Sequence, residues 1–225
     1  MKLLDNIENL AYGNINRDNL AYLTKESFFN DYIDIFENKE YPNLKQTEKE
    51  LEYLIKNQKE YMRKPNWSKY KAFCEACDDD IKKVIYNRLN EIGVRFTKEM
   101  ADRLEEIQEL VGTLVMHLKV KYNRARPFQM SYYTGQRLHP MHTISGSSPA
   151  YPSGHALQSR FLLKIVAFNF PQFKDEIKKL ADDIAFTRIV MGVHYPSDNN
   201  FGFEIADKLA TYPKIRDLYF SRRIF

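Results

Sequence analysis

Long apolar runs are what this sequence lacks: the best of them, Leu110 to Leu118, is nine residues long and already contains His117. A membrane-crossing helix needs roughly 18 to 20 predominantly apolar residues. No span is therefore predicted, and a soluble chain is expected. Cysteine is scarce as well, with only Cys74 and Cys77, in a CxxC. A redox pair of this kind belongs in a βαβ context, and a zinc site needs two further ligands at suitable spacing; neither is apparent. The pair shares an apolar stripe with Phe73, Ile81, Val84 and Ile85, so buried structural thiols are expected. Charge of one sign is not in excess either: 34 Lys and Arg face 30 Asp and Glu, leaving +4. That mild balance gives no reason to infer a nucleic-acid partner. The opening residues, MKLLDNIENLAYG, carry acids where a signal peptide has its apolar stretch. A cytoplasmic location is expected on that basis, or a periplasmic one if a leader has been removed.

What is present reads as helix. No alternating strand pattern, repeat or low-complexity tract stands out, and 225 residues with 44% hydrophobic composition suit one all-α domain, 1–225. Within it, 1–96 is expected to supply N-terminal helices that cover a catalytic helical core at 97–210. Thr47 and Glu50 have the spacing of a capping box ahead of Leu51, Leu54, Ile55 and Met62, with a stop before Pro65. A single helix is expected from Ser68 to Ile92, ending at Gly93. Thr97 then caps a long helix striped by Met100, Leu104, Ile107, Val111, Leu114 and Leu118, which delivers Lys119. If that helix continues, Arg126 lies seven residues on and shares its face; otherwise the loop beyond carries it before Pro127. The stretch 128–152 is rich in Ser, Gly, Tyr and Pro and reads as a long loop over a site. A helix opens at Ser153. A break follows at Phe170 and Pro171, then a helix carrying Arg188, a second break from Gly192 to Pro196, and a helix through Phe201, Ile205 and Leu209.

Three blocks carry the chemistry. "YPSGH", Tyr151 to His155, places Ser153 as an N-cap and His155 in the first turn. The unpaired N–H groups and dipole of a helix start favour an anion, and Gly154 lets one approach closely. Upstream, "KVKYNRARP" holds Lys119 and Arg126; downstream, "TRIVMGVHYPSD" holds Arg188, His194 and Asp198. Cations, paired histidines and a carboxylate are the inventory for moving a phosphoryl group through a histidine. His139 and His142 form an HxxH within 128–152, but no acid lies near them in sequence, so plain loop or substrate-facing roles are expected. His117 falls off the apolar stripe by one position and is expected to pack near the site. Tyr132, Tyr133 and Tyr151 flank the motifs as leaving-group contacts or as loop packing.

In order and spacing these blocks resemble the three-part motif of the type 2 phosphatidic acid phosphatase and vanadium haloperoxidase superfamily. The one departure is Thr187, where the family usually has Ser. The resemblance spans Lys119 to Asp198 and implies a soluble helical bundle similar to the bacterial class A acid phosphatases. It implies a metal-independent phosphatase acting on a small phosphorylated substrate, in which His194 attacks phosphorus, Asp198 orients it, and His155 protonates the leaving oxygen. Lys119, Arg126, Ser153, Gly154 and Arg188 would bind the phosphate. No cofactor and no metal are expected, and relatives of this kind are often homodimers. One alternative is a vanadium-dependent haloperoxidase, with vanadate in the same pocket; another is a non-catalytic phosphate-binding or scaffolding protein.

Overall fold

The computed structural model describes residues 11–13, 15, 17–40 and 42–222. The reading of the first residues as leader-free falls mostly on 1–10, outside the described residues. Helices make up the regular structure in chain order: α1 (Arg17–Ala21), α2 (Ile33–Phe36), α3 (Leu44–Met62), α4 (Trp67–Asp79), α5 (Ile81–Glu91), α6 (Lys98–Tyr122), α7 (Pro127–Thr134), α8 (Gly154–Asn169), α9 (Lys174–Val190), α10 (Pro196–Leu209) and α11 (Pro213–Tyr219). Short 3-10 turns link some of them, and among the described residues the one β contact is an isolated bridge between Ala11 and Arg124. The fold is all-α. No described helix is long and apolar enough to cross a membrane.

The core is built around α8, flanked by α9 on one side and α10 on the other, with α6 beside them. Leu157, Phe161, Leu162, Ile165 and Val166 of α8 are fully buried, against Leu114 of α6, Ile184 of α9 and Ile205 of α10. Truncating one such leucine to alanine costs about 2–5 kcal/mol through lost burial and the cavity left behind. Close approach of α8 and α10 depends on Gly202. A Cβ there would stand 2.8 Å from the Ser153 carbonyl oxygen and 3.0 Å from the Leu157 nitrogen.

Several sequence expectations are corrected. The Thr47–Glu50 capping box does not form: α3 starts earlier, with Asn43 as the N-cap accepting from the Gln46 N–H at 3.0 Å. Thr47 and Glu50 sit inside the helix and point to Arg124 and Ser197 instead. The single helix from Ser68 to Ile92 is two helices, because Asp80 turns extended (φ −150°, ψ 92°) and its carboxylate caps the Lys82 and Lys83 N–H groups, both at 3.0 Å. Aspartate competes with the helix for backbone donors, and here the third of three in a row takes them. For Arg126, open between a continuing helix and the loop beyond it, the second holds. α6 stops at Tyr122, where Asn123 adopts the left-handed conformation at φ 45°. Finally, 128–152 is not loop throughout. Pro127 at the first helical position and Gly135 at φ 67° bracket α7, whose short run has too few apolar positions to show a stripe. Pro171 opens a 3-10 turn that leads into α9 rather than the helix itself.

Candidate active site

α6 ends, α7 begins, α8 begins and α9 ends around one pocket of about 540 Å³. Lys119, Arg126, Gly154, His155 and His194 all line it, together with Ser145 and Ser148 from the irregular segment after α7. Lys119 comes from the last turn of α6 and is buried, its ammonium donating to the Pro149 carbonyl. Arg126 enters from the N-cap of α7 rather than along α6, yet still reaches the same space. Its guanidinium is held on several sides: Nε donates to the Ser148 carbonyl at 2.7 Å and Nη1 to the Val193 carbonyl at 2.8 Å.

His194 lies between two charged partners. Its Nδ1 is 3.1 Å from Asp198 Oδ2, and its Nε2 is 3.0 Å from Arg126 Nη1. A guanidinium only donates and a carboxylate only accepts. Nδ1 therefore carries the proton and Nε2 is the acceptor, its lone pair directed at Arg126 Nη1 on the pocket wall. Burial, then Arg126, Lys119 and Arg188, hold the His194 pKa well below its ordinary value, so the ring is neutral.

Asp198 is fully buried near the start of α10, and both oxygens of its carboxylate are met by donors. Besides His194 it accepts from the Tyr195 N–H at 2.8 Å and from Arg124 Nη1 at 2.5 Å. Burial pushes its carboxyl up, opposed by Arg124 and by the Tyr195 N–H. Arg124 is itself only 2% exposed and lies over the Tyr195 ring at 4.0 Å. Its other bonds go to Thr47, Glu50 and Ser197, which ties α3 to the histidine–aspartate pair.

His155 occupies the first turn of α8 and is half-buried against the pocket. Its Nε2 lies 3.0 Å from the Cys77 carbonyl, which can only accept, so Nε2 is protonated and Nδ1 is the nitrogen left for chemistry. Burial and the charge of Arg188 press its pKa down to about 3. Lys119 is also pushed well below its ordinary value, by burial and then by Arg126, and Arg126 itself falls to about 10. These downward shifts share a cause: cations crowd a low-dielectric space. An anion placed among them would be stabilised, and would raise these pKa values again.

Two expected phosphate ligands sit outside the pocket lining. Ser153 is fully buried, and its hydroxyl caps α8 by accepting from the Ala156 N–H at 3.3 Å. Arg188 is also fully buried and stands one layer back. Its Nη2 donates to Ser145 Oγ at 2.8 Å, and Nη1 pairs with Asp78 at 2.9 Å. Thr187, the departure from the motif, donates to the Ile184 carbonyl one turn earlier. Asp78 also accepts from Thr143 Oγ1, Ser145 Oγ and the Ile144 N–H, at 2.7, 2.7 and 2.6 Å. Burial would raise its pKa, but Arg188 and these donors outweigh it and hold the carboxylate at about 2.

Residues 108–210 match the family model of the PAP2 superfamily. No curated protein matches the chain. The PAP2 stretch contains every motif position named above, from Lys119 to Asp198, and leaves Thr47, Glu50, Asp78 and the Cys77 carbonyl outside it. Members of the PAP2 superfamily are usually phosphatases or haloperoxidases, so phosphoryl transfer or its vanadate counterpart is the class of chemistry the match supports.

The remaining expectations divide cleanly. Cys74 and Cys77 are free and fully buried, their thiols pushed up to about 12 mainly by burial, as structural thiols should be. Tyr132 and Tyr133 are exposed and pack on each other rather than on the pocket, whereas Tyr151 is buried against Phe201. His117 is not among the pocket-lining residues, although its neighbours Met116 and Lys119 are. His139 and His142 are exposed loop residues, and no group of three His, Cys, Asp or Glu positioned for a metal occurs among the described residues. Sequence reasoning missed Arg124, Glu50 and Asp78. Arg124 was visible inside the first motif block, but nothing in the spacing distinguished it from a solvated cation.

Proposed function

We propose that this pocket hydrolyses phosphate monoesters through a phosphohistidine on His194, without a metal. The observation that carries the reading is the clamp on His194: Asp198 at Nδ1 and Arg126 at Nε2 leave a neutral, oriented lone pair beside Lys119 and His155. In the first step, the Arg126 Nη1 hydrogen bond passes from Nε2 to a phosphate oxygen, and the freed lone pair forms a bond to phosphorus as the ester P–O bond breaks. The departing oxygen takes a proton from Nδ1 of protonated His155, whose pKa rises when the phosphate dianion offsets the surrounding cations. In the second step, water attacks phosphorus and the P–N bond breaks. His155 takes the water's proton, which restores both rings. Asp198 stabilises the cationic His194 in between. Lys119 and Arg126 spread the charge on the equatorial oxygens, with the first amides of α8 at Gly154 beside them. Arg188 acts through Ser145 and Asp78. The N-terminal helices and 97–210 work as one catalytic unit in this reading.

Rapid-quench labelling with a ³²P-labelled nitrophenyl phosphate tests it. The parent protein should form an acid-labile phosphoenzyme, His194→Ala should form none, and His155→Ala should accumulate it, because a nitrophenolate leaves without a proton but water still needs a base. EDTA should leave turnover unchanged. Labelling of the His194 variant, a loss on chelation restored by Mg²⁺, or bromide oxidation with vanadate in place of hydrolysis would overturn the proposal.

A further inference from the structure

The pocket is larger than a phosphoryl group requires, since about 540 Å³ lies in the range that encloses a small organic molecule. α6 presents Gln108, Gly112, Val115 and Lys119 to it. At 1.5 Å per residue, Gln108 stands about 16 Å along the helix axis from Lys119. The far half, beyond the histidines, is walled by Asn19, Tyr22, Gln108, Gln158 and the Asp79–Asp80 corner. Gly112 keeps this half open: a Cβ there would stand 3.1 Å from Tyr22 Cε1 and 3.6 Å from Gln158 Nε2.

The hydrogen-bonding character of that half is one-sided. Gln158 lies one turn beyond His155 on α8, and its Nε2 donates to the Gln108 carbonyl at 3.3 Å. This fixes the amide with Oε1 turned back toward Gly154, 3.8 Å from where a Cβ on that glycine would stand. Asp79 adds an exposed carboxylate. Several of the nearby donors, by contrast, are engaged by the protein. Tyr22 donates to Glu109 at 3.1 Å, Asn19 Nδ2 to the Ser147 carbonyl at 2.9 Å, and Lys82 pairs with Glu105. Apolar side chains in the lining are few and separated: Ile81, Val115 and Met116.

Acceptors beside a single lysine that is already paired suit a group that donates hydrogen bonds better than a second phosphate, and the sparse apolar side chains disfavour an alkyl chain. Resting on the phosphoryl-transfer reading above, we propose that the far half is a leaving-group subsite for a hydroxyl-rich, polyol-like or sugar-like alcohol, read by Gln158 Oε1 and Asp79.

The test compares kcat/KM for hexose 6-phosphate, n-hexyl phosphate and hexose 1,6-bisphosphate in the parent, Gln158→Met and Gln158→Glu. The parent should favour the hexose monophosphate over the alkyl ester by about 10-fold or more, the worth of one or two hydrogen bonds. Gln158→Met should erase most of that ratio, and Gln158→Glu, whose carboxylate cannot donate to the Gln108 carbonyl and so loses the fixed orientation, should lower it too. If Gln158→Met fails to fold by circular dichroism, Asp79→Ala at the exposed rim, which removes an acceptor, carries the same comparison. Equal or better turnover of the alkyl ester or the bisphosphate by the parent overturns the subsite, and so does a ratio indifferent to both substitutions. A parent that forms no phosphoenzyme even with nitrophenyl phosphate fails at the earlier reading, and that result is distinguishable from either of these.

Discussion

Arg126 Nη1 lies 3.0 Å from His194 Nε2, and because the guanidinium has no lone pair to offer, the contact settles which imidazole nitrogen is bare. Asp198 on the opposite nitrogen gives the same answer at 3.1 Å. Two independent partners thus set one tautomer, and neither needs a substrate to do so.

Arg124 holds that arrangement from behind, paired with Asp198 at 2.5 Å and Glu50 at 3.2 Å. Arg124→Met leaves both carboxylates without their cation. Breaking a buried pair in this way is expected to cost about 3–5 kcal/mol of stability. Loosening Asp198 should also lower kcat on the order of 10²-fold, the scale of a small misplacement of a reacting group. Denaturant unfolding and steady-state kinetics measure the two effects separately. An unchanged unfolding midpoint would show that Arg124 is not the support described.

Asp78 ties the irregular segment at 143–145 to Arg188. In Asp78→Asn the Ile144 N–H loses its carboxylate acceptor, now at 2.6 Å, and Arg188 loses its counter-charge. Hydrogen exchange at Ile144 should quicken by about 10-fold or more, consistent with one charge-assisted bond worth ~1.5–3 kcal/mol. KM should rise with it. Exchange at the parental rate would mean the segment is held by something else.

Acid should weaken the fold before it protonates most carboxylates. His155 titrates near 6.5 when unfolded but near 3 when folded, and His194 is depressed in the same direction. Between those values the unfolded chain binds more protons, so stability is full above about 6.5 and is lost as pH falls toward 3. Asp198, raised by burial, pulls the other way above its ordinary value of 3.8. Lys119, Arg126 and Arg188 face the rings as cations, and Asp78 as an anion. Added orthovanadate should flatten the acid limb by countering the cations. Melting temperatures from pH 4 to 8 would decide it, and a midpoint flat from pH 7 to 4.5 would contradict the assignment.

Gly202→Ala probes packing rather than chemistry. Its new methyl meets the Ser153 carbonyl oxygen at 2.8 Å, which is backbone and cannot rotate away. A loss of about 1–3 kcal/mol is expected from such overpacking, together with a displaced α8 N-terminus and lower kcat. A variant as stable as the parent would show that α8 and α10 can part at no cost.

The helices of the second half were legible because their apolar residues recur at helical spacing: the stripe from Leu104 to Leu118 and the positions around Phe161 appear buried as read. The pocket residues were legible for another reason, namely that Lys119, Arg126, His155, His194 and Asp198 sit in three short blocks of fixed spacing. Helix ends were harder to read. Thr47 and Glu50 have capping-box spacing, but their side chains are claimed by Arg124 across the fold, a contact 77 residues away for Thr47 that no local pattern encodes. α7 was hidden because its signals are end signals, Pro127 and Gly135, with little apolar stripe between them. Asp78 was hidden inside an aspartate run that reads equally well as solvated charge.

The kink at Asp80 has a consequence for how this protein can change. By turning the chain there, it brings the α4–α5 corner to the pocket, so that one part of the wall facing an incoming alcohol, Asp79 and Asp80, comes from before position 97, while Gln158, His155, His194 and Asp198 come from after it. Part of what governs acceptance is thus inherited from a separate length of polypeptide from the transfer apparatus. Substitutions at the corner can retune acceptance while the transfer apparatus keeps its geometry, with Asp78 as the position where the two inheritances are joined.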